Sequence, residues 1–330
     1  MRRGPAAAEP QSVGQMGVPT AYNGDLGRLD TDLDKIVHES FLAKQPRVLY
    51  HYTTWAGARG LLSTREFRFT AHDCTNDPAE LRSADKTVLA AAAAVRATAV
   101  GLAGDLLDVF LANYHRTKVT KVVGPVYVAC FTRARDSQGQ WEMYADGGRG
   151  LCLGLRVLRR ETILEDLPVA ISLHRVEYSE RLVRARVESA LEAVCRALCR
   201  FRWERATDTT TALQLGLNAL YRVAAVAAIS AKKPQWANEK EWRQVALVRK
   251  SHDIRPLVRH SSGHTIRYLQ LPVRRCGRLL ALSEIIIGPH QDRLAARSQL
   301  RQLLADAGYP RDYARLPRIA VGSVRHCCTA

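Results

Sequence analysis

Apolar residues recur at three- and four-residue intervals in "GDLGRLDTDLDKIVHESFLA", which would place Leu29, Leu33, Ile36 and Val37 on one helical face. The pattern then shortens. It predicts a strand over Val48–Thr53, a short helix over Trp55–Leu62 behind a threonine cap, and a second strand over Glu66–Thr70. The alanine-rich stretch after the turn at Asn76, Asp77 and Pro78 reads as one long helix or two shorter ones, because alanine loses least on entering a helix. "GPVYVACFTRA" is a β run, and "WEMYADGGRGLCLGL" is a turn of helix leading through glycines to a strand. Beyond Glu180 the steps between Val183, Val187, Leu191, Val194 and Leu198 are helical again. The last third reads as three strands in "KEWRQVALVR", "IRYLQLP" and "LSEIIIGP", a helix closed by Gly308, and a final strand near "RIAVGS".

Strand runs separated by helical blocks near 82–118 and 180–233 imply an α+β fold with a mixed or antiparallel sheet. Residues 26–330 are expected to form a single domain behind a flexible tail, residues 1–25, rich in Ala, Gly, Pro and Gln. With 330 residues, 47% of them hydrophobic, the chain can bury a substantial core. Its 49 basic and 32 acidic residues leave a net charge of +17, which suits anionic partners such as nucleic acid. The densest basic groups, "RVLRRET", "RLVRARVES" and "RRCGR", carry no interleaved aromatics and so do not form a base-stacking platform. Eight cysteines are scattered without a disulfide framework, and Cys195 and Cys199, one turn apart, have no further ligands nearby, so a reducing cytoplasm and no metal are expected. The long apolar stretches are broken by Arg96, Asp105, Asp108 and Arg222, and neither reads as a membrane span.

The segment "WANEKEWRQVALV" poses the chemical question. On a strand, Glu239, Glu241 and Arg243 would share one face. Such a face is either solvated surface, where an acid–base pair contributes little, or the wall of a cleft. The other chemistry-bearing residues have the same two readings. His51 is a hydrogen-bonded structural histidine or a ligand group. Asn76 and Asp77 begin a turn and helix or reach a ligand. Trp141 and Tyr144, three apart, share a core-facing helix side or border a site. The glycines of "ADGGRG" have no phosphate-loop spacing.

Taken in order, "LYHYTTWAGARGLL", "NDPAEL", "VYVACFT", "WEMYADGGRGLCLGL", "NEKEWRQV" and "EIIIGP" resemble the bacterial domain of unknown function 2971 family, from about residue 47 onward. That resemblance implies a distant similarity to ADP-ribosyltransferases and to their fold, with long helical insertions. It would make His51 the opening residue, followed by Tyr52 and Thr53, and Glu239 and Glu241 the E-x-E pair with Glu241 the usual catalytic member. Thr132, Trp141 or Tyr144 would take the middle position, where no Ser-Thr-Ser triplet stands. NAD would be the substrate, cleaved at the nicotinamide–ribose bond, with ADP-ribose passed to a nucleic acid or protein acceptor. A carboxylate beside the sugar would stabilise the oxocarbenium-like transition state. His51 would bond the adenosine-side ribose, Tyr52 or Tyr144 would stack on nicotinamide, and Arg243 would meet the pyrophosphate. The competing expectation is a non-catalytic nucleic-acid-binding or protein-interaction module.

Overall fold

The structure, a computed structural model, describes residues 24–75, 84–115, 124–157, 169–201, 206–248, 254–261, 263–272, 282–309 and 318–322. Asn76, Asp77 and the expected N-terminal tail up to residue 23 lie outside these residues. The chain is an α+β protein built on one large, mostly antiparallel sheet. Its strands are β1 (Val48–Thr53), β2 (Glu66–Ala71), β3 (Val126–Thr132), β4 (Leu151–Arg156), β5 (Val169–Arg175), β6 (Glu241–Val248), β7 (Leu257–Ser261), β8 (His264–Pro272), β9 (Leu282–Ile287) and β10 (Arg318–Val321). Their order is β10-β9-β4-β1-β3-β2-β8-β7, with β6 and then β5 branching from β3. Among the described strands only β9 and β10 run parallel.

β3 is the branch point. β6 pairs along its whole length, from Val126↔Leu247 to Thr132↔Glu241. Two strands meet its other edge: β2 at Tyr127 and Val128, and β1 only at Thr132. Between them the sheet forks, and the ring of His51 donates from Nδ1 to the carbonyl of Cys130, 3.1 Å away, on the edge that neither strand pairs.

Each face of the sheet is covered differently. Helices α1 (Asp25–Ser40), α3 (Asp85–Thr98), α4 (Gly101–Tyr114), α6 (Glu180–Arg200) and α7 (Ala206–Ser230) form one layer over Val126, Val128, Val245 and Leu247. The two helical blocks therefore supply a continuous core rather than separate appendages. α7 has the length and apolarity of a membrane-spanning helix, but 83% of its most apolar window is buried inside this layer. The opposite face buries Phe67, Phe131, Leu153, Trp242 and Ile285 with α2 (Trp55–Thr64) and α8 (Arg293–Asp306). Both of these helices start at side-chain caps, the expected Thr54 and also Asp292. A short helix, α5 (Gln138–Tyr144), seats Trp141 edge-on against Tyr52.

Candidate functional site

The register of β3 with its neighbours sets what can meet. Cross-strand partners share a face, and the pairs Glu284↔Gly154, Gly154↔Tyr50, Tyr50↔Thr132 and Thr132↔Glu241 form one row across five strands. On that face the helical layer covers β3 as far as Val128, and α5 covers β1 at Tyr52. In the gap between them Cys130 is exposed. The acidic residues converge here.

Glu239 is not on the strand. Pro234 opens a 3-10 turn that ends at Glu239, Lys240 follows with φ 46°, and β6 begins only at Glu241. The left-handed Lys240 breaks the two-residue alternation, so the expectation of a shared strand face holds for Glu241 and Arg243 but not for Glu239. The two carboxylates meet for a different reason: Lys232. α7 ends at Ser230, Ala231 bridges to Glu177, and the Lys232 amide donates to the Glu177 carbonyl at 3.1 Å. Its ammonium then lies 2.6 Å from Glu239 Oε2 and 3.1 Å from Glu241 Oε2. It also sits 5.3 Å from the centre of the Trp236 ring.

Further bonds fix each carboxylate. Arg243 grips Glu241 with both arms of its guanidinium, Nε to Oε1 at 2.9 Å and Nη2 to Oε2 at 3.0 Å, while Nη1 donates to the Ile229 carbonyl. The Glu241 amide donates to the Tyr178 hydroxyl. Glu239 is held through its backbone, whose carbonyl accepts from Thr132 Oγ1 at 2.5 Å, and its Oε1 accepts only a longer bond, 3.3 Å, from the Tyr144 hydroxyl. Burial pushes the Glu241 carboxyl up. The charges and hydrogen bonds of Arg243, the charge of Lys232 and a hydrogen bond from the Cys130 thiol outweigh it and hold the group below its ordinary value. Burial and the facing Glu239 push the Tyr144 hydroxyl well above its usual range. Tyr178 rises to about 12, chiefly through burial. The arrangement is thus two buried carboxylates set against two cations, with buried Arg243 on one side and exposed Cys130 and half-buried Tyr144 on the other.

Several expected participants lie elsewhere. His51 neighbours Tyr50 on β1 and therefore points to the other face, where its ring packs against Phe67 and Phe131. β3 also stands between β1 and β6, so the cleft imagined between His51 and the acidic pair does not form. Burial depresses the His51 pKa and keeps its ring neutral. Thr53 lies on the same side as His51, at the end of β1. Tyr52 is buried and bonds Ala134 and Ser137. Trp141 is buried, its indole donating to Asp136 at 2.6 Å. Arg243 is 3% exposed and fully engaged with Glu241 and Ile229, so it does not offer a pyrophosphate contact. Of the expected set, Glu239, Glu241, Tyr144, Thr132 and Arg243 gather, Arg243 as the partner of Glu241 rather than as a ligand group. The sequence reading missed Lys232, Cys130 and Tyr178. The pair "KK" seven residues before Glu239 was the only sign of Lys232, and nothing local marked it as a partner.

Residues 140–244 match the family model described as a protein of unknown function (DUF2971). The resemblance expected from residue 47 onward is supported over this segment. It contains Tyr144, Tyr178, Lys232, Glu239, Glu241 and Arg243, and leaves His51, Tyr52 and Thr53 outside. No curated protein and no solved structure matches the chain.

Proposed function

We propose that the cluster of Glu239, Lys232 and Glu241 is a catalytic centre of ADP-ribosyltransferase type, acting on the nicotinamide–ribose bond of NAD. The observation that carries this reading is the convergence of two carboxylates on one ammonium at the open end of β3, with Glu239 Oε1 engaged only by a long bond from Tyr144. A carboxylate facing the sugar can stabilise the positive charge that develops on the ribose as nicotinamide leaves, and Glu239 Oε1 is the oxygen held by the weaker contact. The roles differ from those the E-x-E pattern implies. Glu241 is occupied by Arg243 and acts as the fixed member that positions Lys232, whereas Glu239 faces the sugar. Tyr144, half-buried beside it, is placed to stack on nicotinamide or bond a ribose hydroxyl. With Arg243 buried, the exposed cations Arg133, Lys233 and Lys240, which flank the cluster in sequence, are the groups available to a pyrophosphate. Arg133 and Lys240 are joined through their backbones at 3.1 Å. The net charge of +17 favours an anionic acceptor such as nucleic acid.

The test is nicotinamide release and label transfer from NAD, with and without nucleic acid, by the wild type and by Glu239→Gln. Turnover that disappears in Glu239→Gln, with an unchanged melting temperature, supports the reading. A folded wild type that releases no nicotinamide under any of these conditions overturns it. The cluster is then a structural tie between the end of α7 and the start of β6.

A further inference from the structure

A second site lies away from the acidic cluster, along the other flank of α7. A cavity of about 1170 Å³ opens between α1, the connection 42–47, the ends of β1 and β4, and the edge strand β5. This exceeds the usual range for a drug-sized ligand, roughly 300–1,000 Å³. Its walls are aliphatic rather than aromatic: Val37, Val157, Ile171, Leu173, Val226 and Leu247, with Phe41 the one phenyl ring among the described lining residues. Such walls suit a flexible hydrocarbon better than a flat base, which gains most from stacking.

The polar groups are unevenly placed. Lys44, Arg47 and Arg156 all line the cavity and are exposed, so they form a basic mouth, next to which Leu42 projects 64% exposed. Deeper in, Arg222 is 4% exposed on its side chain. Its Nη1 pairs with Asp34, and its Nη2 lies 3.6 Å from Asp30, too far for a hydrogen bond. Nε and Nη2 of Arg222 are buried without a hydrogen-bond partner. His174, also in the wall, hydrogen-bonds Ser172 Oγ at 2.7 Å. Asp34 is the lone carboxylate among the described lining residues, and Arg222 is paired with it.

We infer that this cavity binds an amphipathic anion: a long aliphatic chain along the apolar walls and an acidic head at Lys44, Arg47 and Arg156. A fatty carboxylate and an alkyl phosphate share this chemistry. The inference does not rest on the catalytic reading, since none of these residues belongs to the acidic cluster.

The purified full chain is titrated with sodium palmitate and with hexadecyl phosphate, each below its aggregation concentration, in competition with a dansylated undecanoic acid. Saturable displacement is expected, and the tighter of the two probes identifies the head group. The double variant Arg47→Ala/Arg156→Ala, altered only at exposed positions, weakens that probe about tenfold or more through loss of charge pairing. Ile171→Trp, which fills the cavity, abolishes displacement, and a thermal melt of each variant verifies that it is folded. No saturable binding by folded wild type overturns the inference. So does binding at wild-type strength in either folded variant, or equal binding of hexadecyltrimethylammonium, which carries the same chain with the opposite charge.

Discussion

The ammonium of Lys232 lies 2.6 Å from a carboxylate oxygen of Glu239, with both side chains about nine-tenths buried. The same nitrogen reaches Glu241, so one cation neutralises the part of two carboxylates that Arg243 does not. Removing a partner from such a buried group leaves a charge in a poor solvent for it. Lys232→Met is expected to destabilise the fold by about 3 kcal/mol, read from urea denaturation. Adding Glu239→Gln to that variant restores part of the loss. Simple additivity of the two changes would show that the pair is not coupled.

Acid sensitivity should come in two stages with different owners. His174 titrates near 6.5 when exposed and near 4 in the fold, because burial disfavours the imidazolium and His38 adds repulsion. Between those values the unfolded chain binds a proton that the folded chain refuses. The contribution of His174 is therefore complete above pH 6.5 and is lost progressively toward pH 4, by about 3 kcal/mol in all. Glu241 is held below its ordinary 4.5, so its contribution is present above that value and falls as pH drops through the lower folded pKa. Urea midpoints followed from neutral to acid pH should show both declines. In His174→Gln the upper decline should shrink, with His51, whose pKa burial also depresses, supplying what remains, while the lower one persists.

Much of the fold could be read along the chain, because its signals were local. The cap at Thr54, the β runs at Val126–Thr132 and Leu282–Ile287, and Gly308 with φ 80° behind α8 all announce themselves within a few residues. β5 and β7 escaped notice. In β5, Ile171 and Leu173 alternate with Ser172 and His174, yet all four are half-buried, so neither face carries a clear solvent signal. The site was legible only in part, since its assembly depends on contacts distant in sequence. Lys232 reaches Glu239 across a 3-10 turn, and Thr132 comes from more than a hundred residues away to hold the Glu239 carbonyl. The placement of His51 failed by one residue of register: Tyr50, not His51, pairs with Thr132, and one step along a strand reverses the face.

A second polar tie on the same face depends on the absence of a side chain. Gly154 separates Tyr50 from Glu284, and a Cβ there would come within 2.9 Å of Glu284 Cγ and 3.1 Å of the Tyr50 ring. That space lets the Tyr50 hydroxyl donate to Glu284 at 2.9 Å while Arg135 clamps the same carboxylate at 2.7 Å. Gly154→Ala is expected to displace Glu284 and cost about 1–3 kcal/mol, measured by chemical denaturation. Tyr50→Phe should cost less, about 1 kcal/mol, because it removes one hydrogen bond and leaves the packing. Equal stability of Gly154→Ala and wild type would show that the strand accommodates the methyl group.

Arg243 makes the sharpest distinction between charge and geometry. It holds Glu241 with two parallel bonds and donates a third to Ile229, which joins β6 to the last turn of α7. Lysine in its place keeps the positive charge but is a single point donor, unable to span both carboxylate oxygens and the helix carbonyl. Arg243→Lys should therefore lose about 2 kcal/mol despite conserving charge, with one or more buried acceptors left unsatisfied. If the cluster is catalytic, the same variant frees Glu241 to move, so turnover of NAD should fall further than stability does. A variant as stable as wild type would mean that charge balance alone, not the fork, holds Glu241 in place.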